Sequence, residues 1–160
     1  MRKKILYAFI ALLITGFTAI STSNNTEAGS ASYYMPYLHT NTNNVVYCVV
    51  GNISSNSITG IFTTMSTEGG TASQTAGASF SIAANTTQML TFSGTTLTTG
   101  SSAITLSDIT GGSFSGKVDF TATSGVSCSD VPMSCFQGTT NPKRNLTGHT
   151  CDDGVNTLAY

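Results

Sequence analysis

Four cysteines, Cys48, Cys128, Cys135 and Cys151, are the residues of this chain best equipped for chemistry. In a chain marked for export an even number of thiols points to two disulfides, because an oxidising compartment couples thiols in pairs. Three pairings are open. Cys48 sits in an apolar run with the character of a central strand, so Cys128 or Cys135, on a facing or neighbouring strand, suits it better than Cys151. The remaining pair then ties the C-terminal segment to the rest. Each bridge is worth about 2–4 kcal/mol. The competing use is metal ligation by Cys135, His149 and Cys151. Their spacing, C-x13-H-x-C, matches none of the paired-ligand zinc patterns. A His one residue from a ligand Cys also points to the opposite side of an extended segment. A thiol nucleophile with His149 as base meets the same oxidising compartment and is set aside.

The oxygen chemistry is equally thin. Asp152-Asp153-Gly154, with Asn156 close by, offers oxygens to a hard cation but lacks the D-x-D-x-D-G loop, and reads as a charged turn. Beyond residue 28 the only glutamate is Glu68, and the aspartates are scattered, which leaves no carboxylate pair for glycoside hydrolysis. His39 and the many hydroxyls have no G-x-S-x-G elbow to work with. No catalytic residue, cofactor or metal is therefore assigned, and the chain is not expected to be an enzyme. Asn24, Asn52, Asn85 and Asn145 begin N-x-[ST] sequons, which read as surface turns.

Two groups remain as candidate interaction sites. Tyr33, Tyr34 and Tyr37 make Tyr33-Tyr34-Met35-Pro36-Tyr37-Leu38 the densest aromatic stretch. It reads as a first strand covering the core, as a platform for sugar rings, or as an exchangeable strand that adds to a neighbour's sheet. Lys143, Arg144 and His149 form a second candidate, in a loop-like C-terminal segment.

Charge narrows the partners. Residues 1–4 are Met-Arg-Lys-Lys, Ile5 to Ile20 carries no charge, and Ser21 to Glu27 is polar, which is the layout of a cleavable secretory signal. The apolar run is 16 residues, shorter than the roughly 20 of a permanent span. Cleavage is expected after Ala28. The first cysteine is Cys48, too late for a lipoprotein, and most of the apolar run precedes Gly16-Phe17-Thr18, where in a prepilin it would follow the cut. Beyond residue 28, Lys117, Lys143 and Arg144 face six acids, a formal charge of −3. That balance excludes nucleic acid as a partner, since phosphate neutralisation needs a basic stripe. No membrane partner is expected once the signal is gone. The chain should be secreted: extracellular, at the cell surface, or periplasmic.

Strands must carry these residues. The 28 Thr and 21 Ser suit β-surfaces better than helix interiors. Apolar–polar alternation recurs over Tyr33–His39, Asn44–Asn52, Ser57–Met65, Ala78–Ala83, Thr87–Ser93, Phe114–Ala122 and Val126–Phe136. Pro36 confines the first run to an edge or a bulge. Asn44–Asn52, apolar on both faces, should be central and covered on both sides. Leu97–Ile109 has no clear assignment, being a loop with a helical turn or an extra edge strand. The fold expected is all-β: an antiparallel two-sheet sandwich of immunoglobulin-like type with about seven strands and a disulfide-pinned C-terminal loop. A jelly roll or partly open barrel is the alternative. The organisation expected is a signal peptide over 1–28, a β-sandwich domain over 29–136, and a C-terminal loop or tail over 137–160 packed on the same domain.

The function expected is that of a non-catalytic secreted or cell-surface structural protein, a self-assembling or adhesive subunit. Its partner is itself, through an edge strand or the N-terminal strand, or else surface glycans. The alternative is a secreted carbohydrate- or ligand-binding module. Fimbrial subunits offer an analogy of class only, because their alternating C-terminal strand near a penultimate Tyr is not reproduced by residues 152–160.

Overall fold

The computed structural model describes residues 29–70, 75–107, 109–139, 144–145, 150–155 and 157–159. The proposed signal, residues 1–28, lies outside them, as do Lys143 and His149. The described residues hold no helix. Their strands are β1 (Ala31–His39), β2 (Asn44–Asn52), β3 (Ile58–Thr67), β4 (Thr75–Ile82), β5 (Thr86–Ser93), β6 (Thr96–Thr99), β7 (Ser102–Thr105), β8 (Ser113–Thr121), β9 (Met133–Thr139), β10 (Arg144–Asn145), β11 (Thr150–Asp152) and β12 (Thr157–Ala159). They form two six-stranded sheets. Sheet A runs β12-β11-β1-β8-β3-β4 and sheet B runs β10-β9-β2-β5-β6-β7, all pairs being antiparallel. The sheets pack face to face as a β-sandwich.

Strict alternation explains why. In β2, Val46, Cys48 and Val50 are buried, and in β8 so are Phe114, Val118 and Phe120, while the intervening side chains face outward. The core between the sheets is filled by Tyr33, Leu38, Ile58, Phe62, Ile82, Leu90 and Leu97 among others. Phe120 takes the edges of Tyr33 and Phe80, with ring centroids 6.0 and 6.2 Å away, the T-shaped geometry that aromatic quadrupoles favour.

Several expectations change at this point. About seven strands become twelve among the described residues. Leu97–Ile109 contains two short strands, because Gly94 and Gly100 adopt positive φ (59° and 58°) and turn the chain twice into tight hairpins. Val126–Phe136 is a strand only from Met133; residues 126–132 form a loop whose Val126, Cys128 and Val131 are nevertheless buried. Asp130 holds that loop by accepting from the N–H and hydroxyl of Ser127 (2.9 and 2.6 Å). The C-terminal loop is partly strand: β11 pairs with β1, and β12 with β11. Of the edge or bulge that Pro36 demanded, the chain adopts the bulge. β1 lies inside sheet A, and its register with β8 shifts between Met35 and Leu38.

Asn52 marks a corner that the sequon pattern misrepresents. Its side chain is buried and its amide nitrogen donates to the carbonyls of Asn56, Ile82 and Ala83 at 2.8, 3.2 and 3.0 Å. Its Oδ1 accepts from the N–H and hydroxyl of Ser54 (3.1 and 2.7 Å). Far from being an exposed surface turn, it ties the β2–β3 crossing to the end of β4.

Candidate functional site

Each cysteine is used structurally. Cys48 bonds Cys135, its directly opposite partner in the β2–β9 ladder, on the face turned toward the core. Cys128, in the β8–β9 loop, bonds Cys151 of β11. The expected preference of Cys48 for Cys128 or Cys135 is met by Cys135, and the second bridge pins the C-terminal strands. Two disulfides belong to a chain that matures in an oxidising environment. Among the described residues no helix is long and apolar enough to cross a membrane. Nor do the described residues gather three or more His, Cys, Asp and Glu into a metal-binding group. The acidic turn is occupied by the backbone: Asp152 accepts from the N–H of Gly154 (2.9 Å), and Asp153 from those of Cys128 (3.2 Å) and Val155 (3.1 Å).

The three candidate tyrosines separate. Tyr33 is fully buried and its hydroxyl donates to the carbonyl of Val131 at 2.7 Å, so it braces the β8–β9 loop and offers nothing to a ligand. Strand alternation puts it on the inward face. Tyr34, on the outer face of sheet A, is 41% exposed, and Tyr37, at the bulge, is also exposed. The second candidate, Lys143, Arg144 and His149, is represented only by the backbone of Arg144 on β10, paired with Gln137.

The outer faces of the sandwich differ in chemistry. On sheet A, Lys117 and Asp119 alternate outward along β8 and pair at 2.9 Å. Ser32 of β1 donates to Asp119 at 2.5 Å. On sheet B the outward face carries an apolar patch, Tyr47 and Val49 on β2, Met89 on β5 and Phe136 on β9, set among Thr91 and Ser134. Val49, Met89 and Phe136 are exposed, Met89 to 51%. The expectation that β2 is covered on both faces therefore fails on its outer side. Tyr47 and Phe136 are cross-strand partners in an offset stack, with ring centroids 5.3 Å apart and planes 24° apart. Gly138 makes room for the tyrosine, since a Cβ there would lie 2.8 Å from Tyr47 Cε2. An apolar run on both faces of Asn44–Asn52 points to Tyr47 and Val49 as core. The signal available was the pairing of an aromatic strand with a Phe-x-Gly strand, and it has no meaning until the register is known.

The sheet edges form a further feature. Among the described residues, three of the four terminal strands are short: β7 has four residues, β12 three and β10 two. β4 has eight, with no charged residue and no proline. Its register against β3 slips at Gly77, between Phe62↔Ala78 and Thr63↔Ala76, so Ala78–Ile82 is the regular run. Within that run Phe80 and Ile82 face the core, and Ser79 and Ser81 are exposed.

Fold and site together define a disulfide-linked, two-sheet β-sandwich with an apolar patch on one outer face and, among the described residues, one long unpaired edge. No protein-family model matches the chain, and neither a curated protein nor a solved structure matches it.

Proposed function

We propose that this is an exported, non-catalytic structural protein, secreted or held at the cell surface, that works as a self-assembling or adhesive subunit. The observation that carries the reading is β4. Exposed strand edges template pairing with another chain, and soluble proteins ordinarily guard them with charge, proline or shortness. Here β4 has neither charge nor proline, whereas the other edges are short. Export is supported by the tripartite layout of residues 1–28 and by the two disulfides. Light scattering on the purified chain lacking residues 1–28 tests the reading. Mass above that of one chain, rising with concentration, is expected; a strictly monomeric protein at millimolar concentration would contradict it. Terminal sequencing of the exported product should begin at Gly29.

The domain reading that accompanies this is a single sandwich after the signal. Support for an immunoglobulin-like arrangement lies in the nested pairings β2–β5 in one sheet and β3–β8 in the other, which repeat the B–E and C–F pairings of that fold.

A second reading, a carbohydrate-binding module, is favoured by one observation, the Tyr47–Phe136 stack on an uncharged outer face bordered by Thr91. Aromatic faces take the apolar side of sugar rings, and hydroxyls take their edges. A glycan array tests it. Binding that disappears in Phe136→Ala supports the module, and no hit across neutral glycans removes it.

A further inference from the structure

We propose that β4 pairs antiparallel with β4 of a second copy about a two-fold axis, and that this closes at a dimer with no fibre growth. The inference deepens the self-association reading and rests on it. An open edge satisfies its outward N–H and C=O groups best with another extended strand, and in an antiparallel pair the same segment serves both partners. The regular run Ala78–Ile82 is self-complementary in this sense. Centred on Phe80, it sets Ser79 opposite Ser81 and Ala78 opposite Ile82. Among the side chains described at that seam, the exposed ones are the hydroxyls of Ser79 and Ser81, which neither repel nor crowd.

Closure follows from the unlike edges of sheet A. Pairing β4 with β4 consumes the long edge of both copies and leaves a β12 at each end of the joined sheet. β12 has three residues, a length at which an edge is already blunted. Head-to-tail growth would need β4 to meet β12, three residues against eight.

The symmetry has a consequence for sheet B. A two-fold axis relating adjacent antiparallel strands of one sheet stands perpendicular to that sheet and cannot turn it over. Both copies of sheet B therefore lie on the same side of the joined sheet A. The two Tyr47–Phe136 faces look the same way, an arrangement suited to bivalent contact with a surface.

The test is sedimentation velocity over a wide concentration range on five samples: the chain lacking residues 1–28, its S79K/S81K, S79E/S81E and S79T/S81T variants, and an equimolar mixture of the two charged variants. Like charges directly opposite one another across a strand pair repel, and opposite charges attract. Expected are a monomer–dimer equilibrium with nothing larger in the parent, a dimer at least tenfold weaker in each charged variant alone, and recovery of a dimer in the mixture. S79T/S81T, which adds no charge to the same exposed positions, should associate like the parent. A strictly monomeric parent overturns this inference together with the self-association reading. Association that is indifferent to all four charges overturns the inference alone and moves the contact elsewhere. A parent that grows past the dimer overturns closure.

Discussion

At one edge of sheet A, three-residue β12 lies beside β11, which a disulfide fastens to the β8–β9 loop and which runs into the charged pair Asp152-Asp153. At the other edge, β4 runs for eight uncharged residues, tied to the body by β3 and, at its end, by the Asn52 side chain. Both edges belong to one hydrogen-bonded sheet, so backbone chemistry does not distinguish them. Length, charge and covalent bracing do. Among the described residues one edge is short, charged and braced and the other is long and uncharged, and under the proposed pairing that asymmetry gives the sandwich one defined place to pair.

The largest change to this contrast should come from removing the brace on the closed edge. C128A/C151A releases a bridge spanning 23 residues and should cost about 3–4 kcal/mol of stability, read from urea unfolding under oxidising conditions. Freed β11 and β12 should also expose β1, so the variant should form species beyond the dimer. Next, Asn52→Ala removes three bonds donated to buried or part-buried carbonyls. A loss of about 2–3 kcal/mol is expected, with faster hydrogen exchange at the Ile82 end of β4. On the apolar face, Gly138→Ala should displace the Tyr47 ring at a cost of about 1–2 kcal/mol, and near-ultraviolet circular dichroism should report the loss of the stack. The smallest effect belongs to the polar face. Lys117→Met breaks the pair with Asp119, and stability should move by less than about 1 kcal/mol. A larger loss there would show that the two outer faces are not as unlike as their chemistry indicates.

Sequence patterning reached the parts of this fold that rest on period-two alternation. Asn44–Asn52, Thr87–Ser93 and Phe114–Ala122 are strands within a residue or so of their expected bounds, because one apolar face per strand leaves a direct trace. The same rule misled at Val126–Val131, where Val126, Cys128 and Val131 are buried along a loop held by Asp130 and Tyr33, for burial alone does not make a ladder. β10, β11 and β12 are two or three residues long, too short to show any period. Asn52 resembles a sequon, and only the carbonyls brought to it by β4 make it a buried corner. The candidate surfaces were the least legible. The aromatic stretch points to Tyr33 as a surface candidate, and the apolar run of β2 points to Tyr47 as core. Which of the two faces solvent depends on sheet order, and that is set by long-range pairing.

Hydrogen exchange of β4 amides as a function of protein concentration tests the central claim most directly. If the open edge is where two copies meet, amides within Ala78–Ile82 that face away from β3 should exchange fast in dilute solution. They should become protected as the dimer fills, while β7 and β12 stay unchanged. Protection that does not vary with concentration at β4, while the mass of the species rises, would contradict it.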